Sequence, residues 1–181
     1  MTIFIQEHNM NIHELTNALN DENNENIIHL TSKKISRMNF NILKELHLDN
    51  STTQTYLSNL NGYRYVDELV DLKIGRFIRW IPITNPNYLP LQYCGIICDI
   101  KITDDGVLLY CKNFMHRHYT FKMDECLIFQ KITQQEQVII SVLDHLEKNN
   151  VDDDTEGISD TEGNSDTEGN SDDNSEGNYI N

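Results

Sequence analysis

The 181-residue chain carries 29 acidic against 14 basic side chains, a net of −15, but the excess is local. Residues 151–181 hold eleven of the acids and no Lys or Arg, which leaves 18 acids against 14 bases, a net of −4, in residues 1–150. No apolar run approaches the ~20 residues that span a bilayer, Met1–Glu7 has neither the basic region nor the long apolar stretch of a secretory signal, and four cysteines are too few for a disulfide scaffold.

These features predict an intracellular protein with reduced thiols. The body is long enough for one domain, or one small domain with a helical annex, around a real core. The 22 Asn and 21 Ile against one alanine, Ala18, reflect the codon bias of an AT-rich genome and not a requirement of any fold.

In chain order, residues 1–72 read as mainly helical and polar. Asn11 is placed to cap a short helix with Ile12, Leu15 and Leu19 on one stripe. The Asn/Glu-rich patch 20–26 reads as a loop. Ser32 is placed to cap a second helix with Ile35, Met38, Ile42, Leu43 and Leu46 on one face. Asn61-Gly62 marks a turn, and Tyr63 to Leu72 reads as a short helix or an extended lead-in.

From residue 73 the period changes. Gly75 to Ile83 is rich in strand formers and ends at a loop over 84–92. Gly95 to Thr103 alternates, with Ile96, Cys98, Ile100 and Ile102 on one face. Asp104-Asp105-Gly106 signals a tight hairpin, Val107 to Lys112 the return strand, and His118–Met123 and Cys126–Ile132 two more strands. Five short strands in about 60 residues suit a small closed SH3-like or Tudor-like barrel better than an OB fold. Thr133-Gln-Gln-Glu136 is a capping box. The helix behind it sets Val138, Ile139, Val142, Leu143 and Leu146 on a stripe that must pack on the barrel or on the N-terminal helices.

The final segment repeats itself: Ser159-Asp-Thr-Glu-Gly-Asn164 recurs as Ser165-Asp-Thr-Glu-Gly-Asn170. With almost nothing apolar to bury, it is expected to be disordered. The expected class is α+β, in four parts: a helical N-terminal region (1–72), a five-stranded SH3-like β-barrel (73–132), an amphipathic helix packed on the body (133–150) and an acidic repeat tail (151–181).

The run Lys73-Ile-Gly-Arg-Phe-Ile-Arg-Trp-Ile81, the hairpin around Gly106 and Leu127-Ile-Phe-Gln-Lys-Ile-Thr-Gln-Gln-Glu136 resemble small uncharacterised proteins of giant amoeba-infecting DNA viruses, the mimivirus relatives. The resemblance covers roughly residues 60–147. It implies a viral source, synthesis in the host cytoplasm and packaging in the virion, and it supplies no catalytic residues.

Structural zinc wants two close pairs of ligands on turns. Cys94 and Cys98 lie four apart in a strand, which separates their Cα atoms by roughly 13 Å. Cys111 with His116 and His118 is a better local set, but Cys111 shares a strand face with Val107 and Leu109, so core packing is the stronger reading and neither metal nor cofactor is expected. The chain has no nucleophile elbow, no cysteine set beside a base and no phosphate loop. Asp104 and Asp105 read as turn formers, and no catalytic residue is assigned.

Residues 73–132 hold eight basic against five acidic side chains, a net of +3, interleaved with Trp80, Tyr88, Tyr93, Tyr110 and Tyr119. Arg76, Arg79, Trp80, Tyr88, Tyr93 and Arg117 are the candidate partner surface, suited to a proline-rich or methylated peptide or to nucleic acid. Against a ligand surface stands the plainer reading of half-buried aromatics and a solvated charged face, which is favoured because +3 falls far short of a strong basic footprint. Ser159 and Ser165, each followed at three residues by Glu, suit an acid-directed kinase. The expected function is a non-enzymatic protein-interaction or scaffold module with a viral or host protein partner. The alternative is a weak nucleic-acid-binding barrel autoinhibited by its acidic tail.

Overall fold

The structure, a computed structural model, describes residues 12–93 and 95–153. Asn11, Cys94, Ser159, Ser165 and the repeat segment lie outside the described residues.

Helix α1 (Ile12–Leu19) buries Ala18 and leaves Ile12 and Leu19 exposed, so the stripe differs from the one its leucines predict. Ala18 packs with Ile27, Ile35 and with Ile139 and Ile140 of the last helix, α4 (Gln134–Asp153). A lone methyl at that contact lets the two helices approach more closely than a leucine would. The patch expected as a loop contains a 3-10 turn over Glu22–Ile27. There the Asn24 side chain donates to Ala18 O at 2.9 Å, taking up one of the carbonyls that α1 leaves open at its end.

Thr31, one residue before the expected cap, opens α2 (Ser32–Glu45) and accepts the Lys34 N–H at 3.3 Å. Ile35 and Leu43 are buried on its predicted face, and Asn39 is buried beside them. Helix α3 (Asn50–Asn59) is capped by Asp49, whose carboxylate accepts the Thr52 N–H at 2.9 Å. Hydrogen bonding from Thr52 holds that carboxyl below its ordinary value.

Among the described residues six strands form one antiparallel sheet: β1 (Tyr63–Val66), β2 (Phe77–Pro82), β3 (Gly95–Thr103), β4 (Gly106–Lys112), β5 (His118–Lys122) and β6 (Cys126–Lys131). They lie in the order β1-β6-β2-β3-β4-β5. This corrects the closed five-stranded SH3-like barrel: the sheet is open, with β1 and β5 at its edges. The extra strand, drawn from the region expected to be mainly helical, pairs with β6 from Tyr63↔Lys131 to Val66↔Ile128. It occupies the flank of β6 against which β5 would have closed a barrel.

The sheet nevertheless curls. The Trp80 ring on β2 stacks on Phe121 of β5 with centroids 4.8 Å apart, although three strand spacings separate those strands, about 14 Å in a flat sheet. The concave face holds Val66, Ile78, Trp80, Ile97, Leu109, Cys111 and Ile128. The opposite face packs Ile81 and Phe129 against Leu43 of α2 and Leu60 after α3. A bulge between Ile97 and Asp99 breaks the alternation predicted for β3. Ile97 and Ile100 therefore both serve the concave core, while Cys98 and Ile102 are exposed.

The β1 edge is covered. Asn39 donates to Tyr63 O at 2.8 Å and accepts the Tyr65 N–H at 2.9 Å, so one side-chain amide stands in for a neighbouring strand.

The capping box forms as the sequence predicts. Glu136 N–H donates to Thr133 Oγ1 at 3.3 Å and Thr133 N–H to Glu136 Oε2 at 2.6 Å. Glu136, 2 % exposed, also meets Arg76 Nη1 at 3.5 Å. Thr133→Ala is expected to cost about 1 kcal/mol, read as a lower urea midpoint at unchanged slope; an unmoved midpoint would show that the hydroxyl does not hold the helix start. Helix α4 runs on to Asp153 and packs on α1, the turn at 22–27 and α2 through Ile139 and Ile140, leaving Leu146 exposed. Among the described residues no helix is long and apolar enough to cross a membrane.

Candidate functional site

The curl of the sheet brings an aromatic group to the β5 end of the concave face. Trp80, 6 % exposed, forms the floor, stacked on Phe121 and tilted at 6.0 Å against Tyr119. Its carbonyl accepts the Gln92 N–H at 2.8 Å, which holds Gln92 and the neighbouring Tyr93 beside the ring.

Asn113 builds the opposite wall. Its Oδ1 accepts the N–H groups of Met115 and Arg117, both at 2.9 Å, its backbone N–H donates to Arg117 O at 3.0 Å, and its Nδ2 donates to the Tyr119 hydroxyl at 3.1 Å. The turn closes with His116 in the left-handed region, φ +59°, a conformation that histidine tolerates better than most side chains.

This turn holds two large apolar side chains in water. Phe114 and Met115 are 73 % and 74 % exposed, and Tyr93 is 87 % exposed. Phe114 stacks on Phe77 at 5.5 Å, which fixes its direction. Trp80, Gln92, Tyr93, Asn113, Phe114, Met115 and Tyr119 line a pocket of about 330 Å³, and none of the seven is charged. The hairpin around them is basic: residues 106–123 contain Lys112, Arg117, Lys122, His116 and His118 and no acid. Contiguous apolar surface on an ordered turn is the usual mark of an interaction site.

Among the described residues two larger clefts offer less chemistry. One of about 570 Å³ between α2, α3 and the start of α4 is lined by Ser, Asn, Gln and apolar groups, with no Asp, Glu, His, Cys, Lys or Arg. The other, about 440 Å³, gathers Asp67, Asp124, Tyr65 and Cys126. Burial first, then Asp67 and Glu45, holds the Tyr65 hydroxyl above its ordinary value. Burial, with Glu125 and Asp124 adding to it, pushes the Cys126 thiol up to about 12. A thiol so placed stays protonated at neutral pH and is a poor nucleophile or ligand.

Cys111 is buried and its thiol is likewise pushed up to about 12, mainly by burial. Between about pH 9 and 12 the unfolded chain would release both thiol protons while the folded chain keeps them, so these groups lower stability as pH rises through that window. The expected result is a urea midpoint that falls above pH 9 and falls less steeply in Cys111→Ala and in Cys126→Ala; equal slopes would count against buried thiols. Cys111 faces the concave core, whereas His118 lies on the other face of β5, and among the described residues no group of three His, Cys, Asp or Glu is placed to hold a metal.

The six surface residues named from the sequence separate into two sets. Arg79 spends its donors on the backbone, Nη1 to Asn59 O at 2.7 Å and Nε to Gln92 O at 3.3 Å, tying the end of α3 to the lip of the pocket. Arg76 is paired with Glu136, and Trp80 is core. Tyr88, Tyr93 and Arg117 are exposed, with Tyr93 on the pocket and Arg117 at the foot of its turn. Phe114 and Met115 escaped the sequence reading; the signal was two adjacent large apolar residues at the centre of a turn, where polar side chains are the rule. No protein-family model, curated protein or solved structure matches the chain.

Proposed function

We propose that this chain is a non-enzymatic protein-interaction module of a large DNA virus, working in the host cytoplasm or the virion, and that the Trp80–Tyr93–Phe114–Met115–Tyr119 pocket receives its viral or host partner. The observation that carries the reading is the pair Phe114 and Met115, held in solvent by a turn that five hydrogen bonds of Asn113 keep in place. A chain gains no stability by ordering large apolar groups in water, so their use is with another molecule.

The test compares the wild type with Phe114→Ala/Met115→Ala in affinity purification from infected cells, with nuclease present. Both side chains are exposed, so stability should change by no more than about 0.5 kcal/mol. A protein captured by the wild type and lost from the variant supports the pocket; identical captures remove it.

The acid-free stretch 106–123 favours one second reading, a weak nucleic-acid surface that the acidic segment blocks from within the chain. Phosphates would meet Lys112, Arg117 and Lys122 while bases stack on the exposed aromatic faces. Deleting residues 154–181 should then uncover salt-sensitive binding to single-stranded DNA or RNA. If the shortened chain ignores both at ~50 mM salt, where phosphate contacts are strongest, this reading fails.

A further inference from the structure

The two edges of the sheet are treated differently. At β1 the Asn39 amide meets the outward backbone groups of Tyr63 and Tyr65. At β5 nothing among the described residues bonds to the outer side: its only strand partner is β4.

The register says which groups are open. Asn113 N–H donates to Arg117 O, so Asn113 and Arg117 form a bonded pair, and the pairs Cys111↔Tyr119 and Leu109↔Phe121 follow at intervals of two. Antiparallel pairing alternates. The N–H and C=O groups of Tyr119 and Phe121 thus face β4, while those of His118, Thr120 and Lys122 face outward.

The side chains alternate as well. Tyr119 and Phe121 lie on the concave face with Trp80. His118, Thr120 and Lys122 lie on the other, beside Lys112, Leu108 and Tyr110. An added strand would therefore find an aromatic pocket under one of its faces and positive charge under the other. The basic stretch ends at Asp124 and Glu125, so the match extends over the length of β5.

We propose that β5 is a docking edge for strand addition, and that its occupant is an extended segment of a partner protein whose side chains alternate acidic and apolar. The backbone of His118, Thr120 and Lys122 pairs with the segment. Its apolar side chains enter the pocket beside Tyr119, and its carboxylates meet His118 and Lys122. A second copy of this chain is a poor occupant, because two-fold pairing about Thr120 would set His118 against Lys122. The proposal rests on the pocket reading above and adds to it the main-chain pairing, which can fail by itself.

The test uses the full chain and the blocked peptide Glu-Val-Glu-Phe-Glu-Val-Glu. Binding is read by Trp80 fluorescence, and amide hydrogen exchange is followed at His118, Thr120 and Lys122. The peptide should slow exchange at those three amides, and added salt should weaken its binding. Versions N-methylated at alternate residues, one for each set, should differ: one set should bind about tenfold more weakly because its N–H groups no longer reach β5, and the other should bind like the parent. Phe114→Ala/Met115→Ala should weaken all three peptides.

If both methylated versions bind like the parent and exchange is unchanged, strand addition fails while pocket docking stands. If no peptide binds, both fail for this chemistry. Protection of the three amides without peptide would assign the edge to the chain's own acidic segment if independent of concentration, or to a second copy if it grows with concentration. Either result overturns a partner in trans. Single-stranded DNA displacing the peptide and protecting the same amides would likewise overturn a protein occupant.

Discussion

Asp71→Ala is expected to destabilise the protein by about 3–5 kcal/mol, the usual loss when one partner of a buried ion pair is removed. Asp71 Oδ2 lies 3.3 Å from Arg64 Nη1, and the Arg64 side chain is 5 % exposed. The same carboxylate accepts from the Asn26 side chain, so it joins β1 to the turn at 22–27. Gln130, on β6 opposite Arg64, completes the knot: its Nε2 donates to Asp71 O at 3.1 Å and its Oε1 accepts the Lys73 N–H at 3.0 Å. Without the carboxylate the guanidinium stays charged in a place with little water to solvate it, and that residual charge dominates the loss.

Two further variants separate the causes. Arg64→Met/Asp71→Leu removes both charges and should recover most of the loss, because a buried pair replaced by apolar groups of similar size is often close to neutral. Asp71→Asn keeps the shape and should fall between. The measurement is the urea midpoint at constant slope. A loss for Asp71→Ala below about 1 kcal/mol, the range of solvated surface pairs, would mean that Arg64 reaches water.

Arg64 also shows where the sequence was silent. Tyr63-Arg-Tyr-Val66 is an alternating strand, but Arg64 is buried on one face with Val66 while the tyrosines are half-buried on the other against Leu43, Leu60, Ile81 and Phe129, so both faces are covered and polarity does not tell them apart. Four residues between a turn and a 3-10 segment are in any case too few for a period to emerge. The later strands were legible because each is longer or bounded by a turn with its own chemistry, as at Asp104-Asp105-Gly106, where Gly106 takes φ +118°.

The bulge at Cys98 was not legible, since no residue there announces it, and it exchanges the faces of β3 partway along. Helix α3 escaped because its apolar residues are few. The pocket was half legible. Trp80, Tyr93 and Arg117 were singled out as strand-region aromatics and charges, but a sequence does not say that Arg79 is consumed by Asn59 and Gln92. Nor does it say that Phe114 and Met115 stay in water, since that depends on the path of the turn that Asn113 holds and on the long-range stack with Phe77.

Trp80→Ala should cost about 3–5 kcal/mol, as for a large aromatic removed from a packed core. The residue looks like a ligand platform from the sequence and sits at the pocket floor, yet it is 6 % exposed and braces β2 against β5 through Phe121. Its removal leaves a cavity where the curl of the sheet is held, so the variant would lose partner binding whether or not Trp80 ever touches a partner. Binding loss in Trp80→Ala or in Arg79→Ala/Trp80→Ala is therefore no measure of recognition.

The informative contrast lies at the rim. Phe114→Ala and Met115→Ala remove exposed groups and should leave the urea midpoint nearly unmoved, within about 0.5 kcal/mol, while weakening the response to a ligand. Trp80 is the only tryptophan in the chain, so its fluorescence follows unfolding in one experiment and pocket occupancy in the other. Should Trp80→Ala unfold at the wild-type midpoint, the ring is not a brace, the curl has another cause, and the pocket floor is free to recognise a partner directly. Should Phe114→Ala unfold early instead, the stack on Phe77 is part of the fold, and the rim has no surplus apolar surface left to explain.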